Sequence, residues 1–138
     1  MTRFALALGL VLLLGACGGN PSVIDGTWTA VLSGAQQIYT PTAITFTLTS
    51  TGNNGLSVTN LPASALGYCF FGAFSSSGST FNDLTGGFQL TLGTTQRGGT
   101  LLQLNGMLNN NTIMGSWTMT LVYIACNEPG GTFTMTKR

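Results

Sequence analysis

Few side chains in this 138-residue sequence could do chemistry: three cysteines, three acids and no histidine. Without an imidazole, neither a Ser–His–Asp nor a Cys–His relay can be assembled from the chain. The acids are Asp25, Asp83 and Glu128. Glycoside hydrolysis would need two of them within about 10 Å across a cleft, and nothing in their spacing requires that meeting. Asp25 precedes a glycine and Glu128 a proline, so both look like turn residues. Gly86-Gly87 and Gly98-Gly99 read as hairpin glycines, because no Lys follows either to complete a phosphate loop. Met114 and Met119 are an odd number of residues apart and fall on opposite faces of a strand, which discourages a Met-only metal site. Two sulfurs without His or a nearby carboxylate pair cannot fill a zinc shell. The reading is of no enzyme, no metal and no cofactor.

The thiol of Cys17 has the clearest task. Met1-Thr2-Arg3 carries one positive charge, Phe4 to Leu14 is almost unbroken apolar sequence, and small residues follow. That is the order of a secretory signal helix. At about eleven residues the run falls well short of the roughly 20 that a spanning helix needs. Leu14-Gly15-Ala16-Cys17 resembles the lipobox of bacterial lipoproteins: an aliphatic residue, two small residues, then cysteine. The resemblance implies a diacylglycerol on the Cys17 thiol, cleavage before Cys17, and acylation of the new amine. It divides the chain into a signal over 1–16, a flexible Gly-rich tether over 17–22 and a domain over 23–138. One myristoyl-length chain holds a membrane only marginally, whereas two or three on one residue hold stably. Gly18 rather than Asp follows the cysteine. By likeness to lipoprotein sorting in two-membrane bacteria, that implies the outer membrane, facing the periplasm or the cell surface.

With Cys17 assigned to lipid, Cys69 and Cys126 remain. Outside the cytoplasm two such cysteines usually pair. The bond would close a loop of nearly sixty residues and stabilise the domain by roughly 4 kcal/mol in a chain-entropy account. Two buried free thiols are the other reading. Beyond the signal, charge is confined to the three acids and Arg97, Lys137 and Arg138. No basic face can be built from so few, which excludes nucleic acid as a partner.

The elements that would position these residues are strands. Period-two alternation runs through Trp28-Ala30-Leu32, Ile44-Phe46-Leu48, Phe88-Leu90-Leu92, Leu102-Leu104-Leu108, Ile113-Trp117-Met119-Leu121 and Phe133-Met135. Thr, Ser and Gln occupy most of the positions between, so each strand is apolar on one face and polar on the other. Asn53-Asn54-Gly55 reads as a tight hairpin, with Asn tolerating the positive φ of a type I′ turn. Ser75–Ser79, Asn109-Asn110-Asn111 and Pro129-Gly130-Gly131 mark further turns. Strands are expected over 26–33, 43–50, 55–61, 68–75, 80–84, 87–93, 100–108, 112–123 and 131–137. The fold class is all-β: an antiparallel up-and-down barrel of about eight strands, or else a β-sandwich.

Gly26-Thr27-Trp28 opens the first strand, and Gly131-Thr132-Phe133-Thr134 leads a last strand ending in Lys137-Arg138. This pairing resembles the calycin group, the lipocalin and avidin families. The resemblance implies that Trp28 plugs one barrel end and that Lys137 or Arg138 packs over it. Streptavidin-like chains share the Gly-Thr-Trp opening and the Thr-Phe-Thr closing strand. This chain departs from them at Ala30, where they carry the Asn that reads biotin, and at Gly131, where they carry Asp. It also has only two tryptophans where avidins wall their site with several. Biotin is therefore not the expected ligand. The chain is similar, too, to small bacterial lipoproteins rich in Thr, Gly and Ser that end in a Cys, a Gly-rich turn and a Gly-Thr-Phe-Thr-like strand. That likeness concerns shape and location and names no activity.

Tyr68, Phe70 and Phe74 share one strand face, and Trp117 sits mid-strand. Together they could line a ligand cavity, although side chains commonly fill an eight-stranded barrel. Two functions are carried forward. One is a lipid-anchored module binding a small, uncharged or apolar ligand. The other is a structural or protein-interaction lipoprotein of the envelope without a pocket. An integral outer-membrane barrel is a third reading, since alternation alone does not say which face points inward.

Overall fold

A computed structural model describes residues 22–35, 42–62, 65, 73–94, 99–120, 128 and 130–138. Among them nine strands form one antiparallel sheet that closes on itself: β1 (Gly26–Ser33), β2 (Ala43–Gly52), β3 (Gly55–Thr59), β4 (Phe74–Ser75), β5 (Thr80–Phe81), β6 (Gly87–Thr94), β7 (Leu101–Asn109), β8 (Thr112–Thr120) and β9 (Gly131–Lys137). Around the barrel the order is β6-β5-β3-β2-β1-β9-β8-β7, and β7 pairs back onto β6. β4 and β5 share one edge of β6, with Phe74 opposite Thr94 and Phe81 opposite Phe88, so nine strands fill eight positions. Closure leaves no room for the sandwich alternative.

Alternation sets the two faces. Trp28, Ala30, Ile44, Phe46, Leu48, Leu90, Leu92, Leu102, Leu104, Ile113, Phe133 and Met135 point inward and are buried. The faces between them carry mainly threonine, whose branched side chain suits a pleated surface while its hydroxyl meets water. On the β1–β2 wall these hydroxyls pair across strands, Thr29 with Thr45 at 2.9 Å and Thr27 with Thr47 at 3.3 Å.

Local chemistry decides where strands stop. Asn53 and Asn54 both take positive φ, 48° and 61°, which makes the β2–β3 connection a type I′ turn. The expected strand over 55–61 ends at Thr59, where Asn60 turns to φ 55°. The expected strand over 80–84 shrinks to two residues because the Asn82 side-chain oxygen accepts the N–H groups of Leu84 and Thr85, an Asx turn. Of the strand expected over 68–75 only 74–75 lies within the described residues as strand. Between β4 and β5 the Ser79 hydroxyl accepts the Thr91 N–H at 3.0 Å and donates to the Thr91 carbonyl at 3.3 Å, so one side chain stands in for missing ladder bonds.

The connections are sorted by end. At the terminal end lie the entry segment 22–25, Arg138 and the hairpins of β2–β3, β5–β6 and β7–β8. Toward the opposite end, the loop end, β1, β3, β6 and β8 run out and β2, β4, β7 and β9 begin, so the longer connections leave and rejoin the sheet there.

Candidate functional site

Tryptophans close the interior toward both ends, Trp28 of β1 fastening to the entry segment and Trp117 of β8 to the end of β1. Near the terminal end the Trp28 indole N–H donates to the Ile24 carbonyl at 2.7 Å, fixing the entry segment across the barrel mouth with Ile24 fully buried. Lys137 lies directly opposite Trp28 in the β1–β9 register, and its Nζ sits 5.9 Å from the ring centroid. The same ammonium donates to the Val23 carbonyl at 3.1 Å. Gly26 makes room for it: with φ at 135°, a side chain there would be strained, and its Cβ would stand 2.8 Å from Lys137 Cε. Arg138 packs elsewhere, donating from Nε to the Thr29 hydroxyl at 2.9 Å.

Two acids belong to the same end. Asp25 accepts the Ser50 N–H at 2.6 Å and the Ser22 N–H at 3.0 Å, while the Ser22 hydroxyl donates to Asp83 at 2.7 Å. Spacing alone did not require Asp25 and Asp83 to meet, yet Ser22 bridges them. The arrangement is a clasp that ties the entry segment to β2 and to the β5–β6 turn.

Toward the loop end the Trp117 indole N–H donates to the Ser33 carbonyl at 3.0 Å. Gly131, opposite Trp117 in the β8–β9 register, permits that approach, because a Cβ there would collide with the Ser33 carbonyl and stand 3.0 Å from the indole nitrogen. The space beside Gly131 is thus taken by the Ser33 backbone and the indole. Ala30 is fully buried among apolar neighbours. Neither position offers a polar group to a ligand.

Of the residues expected to line a cavity, Trp117 is 1% exposed and Phe74 is half-buried against the core at the loop end. Tyr68 and Phe70 lie outside the described residues, as do Cys17, Cys69 and Cys126. Glu128 lies in the connection between β8 and β9, as expected, and is buried there with 3% of its surface exposed, far along the chain from the Asp25–Asp83 clasp. Among the described residues no group of three or more His, Cys, Asp or Glu could hold a metal.

Sequence reading passed over one outward pair. Met107 and Met114 face each other across β7 and β8, and each is 55% exposed. Strand parity could have found them, since both fall on the face opposite Leu102 and Leu104. Leu84, 97% exposed at the β5–β6 turn, carries no periodic signal at all.

No family model, curated protein or solved structure matches the chain. The closed antiparallel barrel of eight strand positions, with Trp28 near one end, is consistent with a calycin-like fold.

Proposed function

We propose that this chain is a lipid-anchored protein of the bacterial envelope whose barrel offers its loop end to a small, uncharged, largely apolar ligand. The observation that carries the reading is the polarity of the connections. Both the entry segment and the tight hairpins belong to the terminal end, while the strands joined by long connections run out and begin again toward the other. With acyl chains on Cys17, a tether of five residues before Ser22 spans at most about 18 Å, so the terminal end faces the membrane and the loop end faces away. Phe74 and Trp117 give that end its aromatic character. The outward strand faces carry threonine rather than an aliphatic band, which argues against a barrel immersed in lipid.

The interior favours a second reading as well. Trp28, Phe46, Phe133, Leu90 and Leu104 fill the lumen with essentially no exposed surface, so a ligand would sit at the mouth rather than deep inside. Without one, the protein is a structural or interaction lipoprotein acting through its hydroxyl-rich wall. Native mass spectrometry of protein isolated from its own host separates the two. A retained neutral mass beyond the acyl chains supports the binding module, and an acylated protein carrying nothing else supports the second reading. The same spectrum reports the two-hydrogen loss of a Cys69–Cys126 bond.

A further inference from the structure

The terminal end carries apolar side chains that the fold leaves uncovered. Leu84 projects from the β5–β6 turn with 97% of its surface exposed, and Val23 from the entry segment with 58% exposed. They are brought together by the clasp: Ser22, which precedes Val23, donates its hydroxyl to Asp83, which precedes Leu84, at 2.7 Å. On the adjoining wall stand Met107 and Met114, paired across β7 and β8, with Gly87 opposite Met107 on β6. These four are among five large apolar side chains exposed among the described residues; the fifth, Val31, lies farther along β1.

We infer that this patch is a bilayer-resting surface, with Leu84 and Val23 entering the boundary between lipid headgroups and acyl chains. The inference rests on the acylation of Cys17 proposed above. Its own support is the coincidence of the patch with the end from which the tether leaves. Four residues separate Cys17 from Ser22, and the five steps between them reach at most about 18 Å, so a barrel moored there meets the membrane with this end first. Charge does not supply the attraction, because Lys137 and Arg138 at this end are matched by Asp25 and Asp83. The partner is therefore the apolar depth of a bilayer rather than an anionic headgroup. An orientation held by both tether and patch would keep the loop end directed away from the membrane.

The test uses Leu84→Trp and Thr120→Trp, each produced as the full chain in its own host and reconstituted into phosphatidylcholine vesicles with acyl-brominated lipid. Thr120 is exposed on the loop-end part of β8 and serves as the control. Leu84 has almost no native contacts to lose. The native indoles of Trp28 and Trp117 are buried and are subtracted with unsubstituted protein. The intact mass of each preparation reports acylation. The expected result is loss of about half the added emission at position 84, against less than about a tenth at position 120, for a side chain placed at the acyl boundary. Equal, weak quenching at both positions in acylated protein overturns the docking and leaves the anchor standing. Absence of acyl mass overturns the anchor and the docking with it.

Discussion

The ammonium of Lys137 lies 5.9 Å from the centroid of the Trp28 ring and at the same time donates to the Val23 carbonyl at 3.1 Å. One side chain on the last strand thus holds both the plug of the barrel and the segment that enters it. Lys137→Met keeps most of the alkyl packing and removes both polar interactions. It is expected to lower stability by about 1–2 kcal/mol, as read by urea unfolding. Arg138→Ala, which removes an exposed bond to Thr29, is expected to cost less than about 0.5 kcal/mol.

The two indole donors predict unequal penalties from one conservative change. Trp28→Phe leaves the Ile24 carbonyl without its partner in a fully buried setting and opens space at the barrel end. A loss of about 2–4 kcal/mol is expected. Trp117→Phe frees the Ser33 carbonyl beside half-exposed loop-end residues, where water can replace the donor, and about 1–3 kcal/mol is expected. Equal unfolding midpoints for the two variants would contradict this difference.

Gly131→Ala tests the loop-end junction of β1, β8 and β9. Its Cβ would meet the Ser33 carbonyl and the Trp117 indole nitrogen together. Strand separation there is expected to cost at least about 2 kcal/mol, with a shift in Trp117 emission as the indole loses its acceptor. Unchanged emission and stability would mean that the close approach of Ser33 is absent.

Asp25→Asn asks whether the clasp needs charge. The carboxylate accepts two backbone N–H groups, at 2.6 and 3.0 Å. An amide can accept only on its oxygen, so one donor is lost, at a cost of about 1–2 kcal/mol. Asp83→Asn touches only the exposed Ser22 hydroxyl and is expected to change stability by less than about 0.5 kcal/mol. Hydrogen exchange at the Ser50 amide distinguishes the two, rising in the first variant alone.

Much of the fold was legible because its determinants are local. Period-two alternation assigned Trp28, Phe46, Leu90 and Phe133 to one face, and Asn53-Asn54-Gly55 announced its own turn. The expected bounds of β1 and β9 coincide with those observed. The misreadings came from side chains acting at a distance along the chain or against the ladder. Asn82 ends β5 by bonding Leu84 and Thr85, and the burial of Glu128 in the β8–β9 connection has no local signal.

The sequence by itself determined that this is an all-β chain with one apolar and one hydroxyl face per strand and with no histidine for chemistry. Composition and period carry that information residue by residue. Only the tertiary structure decided that the sheet closes through β6 and β7, that Ser22 joins Asp25 to Asp83, and that Leu84 and Val23 share one end of the barrel. Those relationships join residues as many as 61 positions apart. Strand register and closure create them, and no local pattern records which distant edges will meet.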